Sequence, residues 1–167
     1  IMKKPLILLT ALLAVPAVGI TSTPITGMVA SKCVITTDTD GVYGNPTATK
    51  LSTLAADGGV LPIIRYDIIT ANAYKAKIHT PVAFTSSPPL GSETVNWSGS
   101  TVANQMSDSN MSAFNTNKVV YNNTSEFDLT LAGSVWFDVT SAATYGYNKA
   151  FPAGTYQAVV TAECVAQ

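Results

Sequence analysis

Charge is scarce in this chain. Lys, Arg, Asp and Glu make up 11% of its 167 residues, against roughly 25% in ordinary soluble domains. No basic stripe is present, so nucleic acid is not expected as a partner. Histidine occurs once, at His79 inside a strand-like run beside Thr80-Pro81, where a solvent-facing strand residue is the better reading than a general base or metal ligand. No G-x-S-x-G nucleophile motif occurs, and Ser98-Gly99-Ser100 reads as a turn. The acidic residues are scattered among turn clusters, so no glycosidase-like pair can be nominated. Asp38, Asp40 and Gly41 lack the spacing and terminal Glu of a calcium loop and also read as a turn. The expectation is a protein without catalytic residues, metal or cofactor. Helix-length periodicity is missing too, once the first 17 residues are set aside.

Those first residues have the three-part layout of a secretory signal. Lys3 and Lys4 form a short positive region, Leu6 to Leu13 is apolar apart from Thr10, and Val15-Pro16-Ala17 offers small residues around a cleavage site. The apolar stretch is shorter than the about 20 residues that span a bilayer. Cleavage after Ala17 leaves about 150 residues, the size of one domain with its own core. The organisation expected is a signal at 1–17, an N-terminal extension at 18–32 and a single domain at 33–167. An exported chain with only two cysteines argues for a Cys33–Cys164 disulfide. Free thiols and a metal pair are weaker alternatives, with no histidine or third cysteine near either residue. The bridge would close a loop of ~130 residues and tie the first strand to the last, stabilising by roughly 4–5 kcal/mol on the chain-entropy model.

After the signal, short β-branched and aromatic runs alternate with Gly, Pro, Asn, Asp and Ser clusters, the pattern of an all-β sandwich or barrel. The runs are Cys33 to Thr37, Val60 to Ile69, Tyr74 to Phe84, Thr94 to Trp97, Lys118 to Tyr121, Glu126 to Leu131, Val135 to Val139 and Thr155 to Val165. In the seventh, Val135, Phe137 and Val139 oppose Trp136 and Asp138. The last places Tyr156, Ala158, Val160, Ala162 and Cys164 on one face. Residues 98–117, rich in Ser, Asn and Met, read as a long loop or weakly paired segment.

Residues 18–31 are apolar, β-prone and uncharged, and lie outside the disulfide loop. They are either the domain's own first strand or a spare strand that pairs with another subunit's open edge. As a spare strand, Val18, Ile20, Ile25, Gly27 and Val29 are the candidates to point inward, with Pro24 where no ladder bond is needed.

Several segments resemble the alpha-class chaperone–usher pilins, the colonization-factor-antigen type of fimbrial major subunit. The stretch from Leu54 to Pro62, with Leu54, Ala56, Asp57, Gly58, Leu61 and Pro62, is similar to that family's L-x-A-D-G-x-x-L-P segment. Tyr74 through His79-Thr80 resembles its Y…V-H-T strand. Ala153, Gly154, Tyr156, Val159 and Val160 match its closing A-G-x-Y-x-x-V-V strand. Ile25-Thr26 lies where the family's donor segment would begin. The resemblance implies an immunoglobulin-like β-sandwich with one strand missing, completed by a donor strand from a neighbouring subunit. It implies a head-to-tail homopolymer at the cell surface that supports adhesion, built by a periplasmic chaperone and an outer-membrane usher and in some cases ending in a tip adhesin. The rival expectation is a monomeric secreted or periplasmic binding module, with carbohydrate as the ligand class its aromatics would suit. Trp97, Trp136, Tyr145 and Tyr147 would be its stacking platforms unless they pack in the core.

Overall fold

Alternation decides which side of each strand is buried. In the computed structural model, β9 (Gly133–Tyr145) buries Val135, Phe137, Val139, Ser141, Ala143 and Tyr145 and turns Trp136 and Asp138 outward. Its neighbour β4 (Ile63–Ile68) does the same with Ile64, Tyr66 and Ile68. The structure describes Thr26, Met28, residues 32–146 and residues 149–167. Among them the remaining strands are β1 (Cys33–Thr39), β2 (Gly44–Thr47), β3 (Lys50–Ser52), β5 (Tyr74–His79), β6 (Val95–Met106), β7 (Val119–Tyr121), β8 (Thr124–Asp128) and β10 (Thr161–Ala166). Single 3₁₀ turns occupy Ala55–Asp57 and Ser109–Ser112, and the second runs into a short helix, α1, at Ala113–Asn117.

The chain forms an all-β sandwich of two antiparallel sheets. One sheet has the order β1-β4-β9-β3-β2, with β6 on the opposite side of β9; the other has the order β10-β5-β8-β7. The core lies between them. Tyr66 meets Phe137 edge-on at 5.3 Å, and Phe127, from the opposite sheet, reaches Phe137 at 4.5 Å. Ala76 and Ile78 of β5 complete the facing layer, while Met111 and Phe114 close one end. The Tyr66 hydroxyl donates to the Glu163 carbonyl at 3.1 Å, which satisfies a phenol whose pKa burial pushes well above its ordinary value.

The expected disulfide is present: Cys33 is bonded to Cys164, 131 positions away in sequence, with Cα atoms 6.4 Å apart. It joins the two sheets through β1 and β10. An oxidised pair fits an exported protein. Among the described residues no helix is long and apolar enough to cross a membrane.

Three sequence expectations need correction. Residues 98–106 are not a loop, because β6 pairs with β9 from Val95↔Tyr145 to Met106↔Val135. Ser98-Gly99-Ser100 is therefore mid-strand rather than a turn, and Gly99 is there for closeness: a Cβ would lie 2.6 Å from the Thr140 carbonyl oxygen and 2.9 Å from the Thr80 Cβ. The second correction concerns the cluster at 38–41. Asp38 and Thr39 extend β1 past an irregularity in its pairing with β4, and Asp38 accepts from Trp136 Nε1 at 3.1 Å. The third is the start of the last strand. Regular pairing begins at Thr161, while residues 151–160 make only an isolated bridge, Ser86↔Gln157.

Candidate functional site

β1 and β10 are the outermost strands of their sheets, with no strand on their far sides among the described residues. Both lie on the same lateral side of the sandwich, because the disulfide staples them together. At Cys33 and Cys164 the two walls meet. Farther along they part, Thr37 and Thr39 facing Ala158 and Val160 across a cleft of 350 Å³ whose floor includes Ile64 of the core. Beyond it, residues 41–45 and 151–159 enclose a second cleft of 980 Å³. Gly41, Tyr43, Ala158 and Val159 line both, so the two form one trough that widens away from the disulfide.

The wall at 151–160 explains why the trough is open. Its residues alternate in exposure as a strand should, with Tyr156, Ala158 and Val160 half-buried and the side chains of Gln157 and Val159 exposed. The inner residues are only half-buried, since no strand covers them. Gln157 bonds back to Ser86 and Thr85, which fixes this wall to the body of the protein. Gly154 turns the chain at φ 149°, and a side chain there would collide with Pro88.

The wide end is closed by aromatic rings. Phe84 sits among Trp97, Tyr156, Phe151 and Tyr43 at centroid distances of 4.7, 5.0, 6.0 and 6.5 Å. Phe151 stacks on the buried Tyr145 at 5.2 Å, and the Tyr145 hydroxyl accepts from the Gly91 N–H. Tyr43 shares a 2.8 Å hydrogen bond with Ser141 at the floor, and burial pushes its hydroxyl pKa up. Among the described residues, Asp40 is the single charged one lining either cleft. An uncharged trough between two free strand edges, with half-buried apolar side chains along its floor, can accept an extended peptide. The edge backbone would supply ladder hydrogen bonds, and the floor would take alternate side chains.

The sequence-nominated residues divide around this site. Ala153, Gly154, Tyr156, Val159 and Val160 all line it, and Pro62 lines its narrow end. Leu54, Ala56, Asp57 and Gly58 form the 3₁₀ turn behind β3. There the Lys50 ammonium, 2.7 Å from Asp57, and the Ser52 hydroxyl hold the Asp57 carboxyl below its usual range. Leu61 leads into β4 beside Pro62, whose carbonyl accepts from the Val139 N–H. Of the stacking candidates, Tyr145 is buried, Trp97 is part of the aromatic cluster, and Trp136 lies on the outer sheet face with the Arg65 guanidinium over its ring at 5.0 Å. Tyr147 lies outside the described residues, as do the signal at 1–17 and the donor candidates Val18, Ile20, Ile25, Gly27 and Val29. His79 bonds Thr124 on the outer face of the second sheet. Among the described residues, no group of three or more His, Cys, Asp or Glu side chains is placed to hold a metal. Trough-lining residues that the sequence did not single out include Tyr43, Leu51 and Phe151, which come from three separate segments and carry no local pattern.

Fold and site together define a class: a disulfide-closed antiparallel β-sandwich with an open lateral trough. No family model, curated protein or solved structure matches the chain.

Proposed function

We propose that this chain is a structural subunit of a surface fimbria, assembled head to tail by strand exchange along the chaperone–usher route and supporting adhesion. The observation that carries the reading is the trough between the free edges of β1 and β10, walled by the A-G-x-Y-x-x-V-V segment. Its occupant is residues 18–31 of another copy. That segment is uncharged, as is the trough apart from Asp40. Lys32 supports an occupant from elsewhere: its carbonyl accepts from the Ile69 N–H, so the extension joins the domain at the shut end of its own trough. A contact of this kind does not close on itself and propagates as a filament. A periplasmic chaperone would cover the trough before exchange at the usher.

The test is Ile25→Asp. In a partner's trough Ile25 would lose most of its exposed apolar area, worth roughly 1.5–3 kcal/mol, and Asp would add the cost of a buried, unpaired carboxylate. The variant is expected to be secreted and to bind its chaperone, while electron microscopy of surface extracts shows few or no filaments. A subunit destabilised before assembly would instead place Ile25 in its own sandwich, and undiminished filaments would overturn the reading.

A further inference from the structure

The disulfide sits at one end of the trough, and that position carries a consequence beyond assembly itself. We propose that the Cys33–Cys164 disulfide is an end stop that fixes the register of the inserted strand; this rests on the strand-addition reading above. A strand added to a sheet edge lies about 4.8 Å from its neighbour and sends every second side chain toward the core. Those side chains need space between the two sheets. At Cys33 and Cys164 that space is filled by the disulfide itself, both half-cystines pack against the core cluster, and the Cα atoms are held 6.4 Å apart. The first room for an inward side chain is between Thr37 and Val160. From there the trough runs back to Pro152, a wall of about nine residues, or roughly 30 Å.

Nothing else described along β10 marks an end. Its outer edge continues without a strand partner from Thr161 to Ala166, so hydrogen bonding alone would let a strand slide past Val160. A two-residue slip keeps the same face inward and is therefore the slip that apolar patterning does not prevent. The covalent bridge prevents it by keeping the sheets together beyond that point. Oxidation thereby converts a continuous edge into a site of defined length, and a chain that reached assembly reduced would accept strands in more than one register.

Amide hydrogen exchange on the oxidised full chain tests this, with a synthetic peptide of residues 18–31 as the probe. The peptide is expected to slow exchange along 152–160 and to leave the outward amides of 162–166 unchanged. In the full chain carrying Cys33→Ala and Cys164→Ala, protection is expected to extend into 162–166. If that variant does not fold, the oxidised protein decides alone. Protection reaching 162–166 with the disulfide intact overturns the end stop while leaving strand addition standing. No capture of the peptide by the oxidised chain overturns both.

Discussion

Consider filling the narrow part of the trough from inside with Ala158→Phe. Ala158 faces inward between Tyr156 and Val160 and lines both clefts, the narrower of which measures 350 Å³. An apolar cavity of about 150 Å³ already accommodates benzene, so a benzyl group has room. Burying half of its roughly 150–250 Å² at ~25 cal/mol per Å² stabilises by about 2–3 kcal/mol. Ordering the side chain and shielding the Thr53 and Ser141 hydroxyls nearby offset about 1–2 kcal/mol of that. The free subunit should therefore be unchanged or up to about 1–2 kcal/mol more stable by urea denaturation. Strand capture should move the other way. The ring occupies the place of one inward side chain of the incoming strand, about 1.5–3 kcal/mol, which is roughly 10- to 150-fold in affinity. Fluorescence anisotropy with a labelled 18–31 peptide reads that loss directly. A folded variant that captures the peptide as well as the parent would show that the trough is not where the strand goes. A subunit destabilised by several kcal/mol would show that the space is not available as described.

Three further outcomes follow from other parts of the molecule. Replacing both cysteines by alanine should cost about 4–5 kcal/mol on the chain-entropy model, given the 131-residue separation; a drop below about 1 kcal/mol in chemical denaturation would refute that account. Asn115 donates to the Ala103 carbonyl at 2.6 Å and accepts from its N–H at 2.8 Å, capping the free edge of β6. Asn115→Ala should therefore cost about 1–3 kcal/mol and increase light scattering by self-association, and a monodisperse variant of parent stability would contradict it. Lys77, Tyr121 and Lys75 together hold the Glu126 carboxyl down to about 2. Its folded pKa is depressed, so its stabilisation is present above the unfolded value near ~4.3 and is lost as pH falls through the folded one. The parent should lose stability more steeply than Glu126→Gln between those two values, and parallel stability curves would rule this out.

Where alternation coincides with burial, the sequence was a sufficient guide. Val135, Phe137 and Val139 are all buried, and the chemistry of two cysteines in an exported chain led to the bond that is present. β6 was legible only at its start, in the run Thr94 to Trp97; beyond it the inward residues are the small Thr101 and Ala103 and the outer face carries Ser and Asn, so pairing with β9 makes that part a strand, not its own pattern. The turn and helix at 109–117 were hidden for a different reason. They contribute only Met111 and Phe114 to the core, too few for a period to register. The trough was half legible. The alternation from Tyr156 to Cys164 marked the right face, but alternation cannot distinguish a side chain covered by a second sheet from one left half-open. The opposite wall depends on where residues 37–45 are carried by the fold, which no local pattern records.

The disulfide also decides how the molecule bears tension. A pull applied at Lys32 enters the domain at Cys33, and the covalent bond hands it straight to Cys164 on the last strand. The chain between the two cysteines is a closed ring bypassed by the load. The separation of 131 positions represents about 450 Å of contour length, none of which can be drawn out by stretching the chain from its two ends while the bond holds. Under such a pull the hydrogen bonds within the ring need not resist the force; the sulfur–sulfur bond runs in parallel with them and carries it.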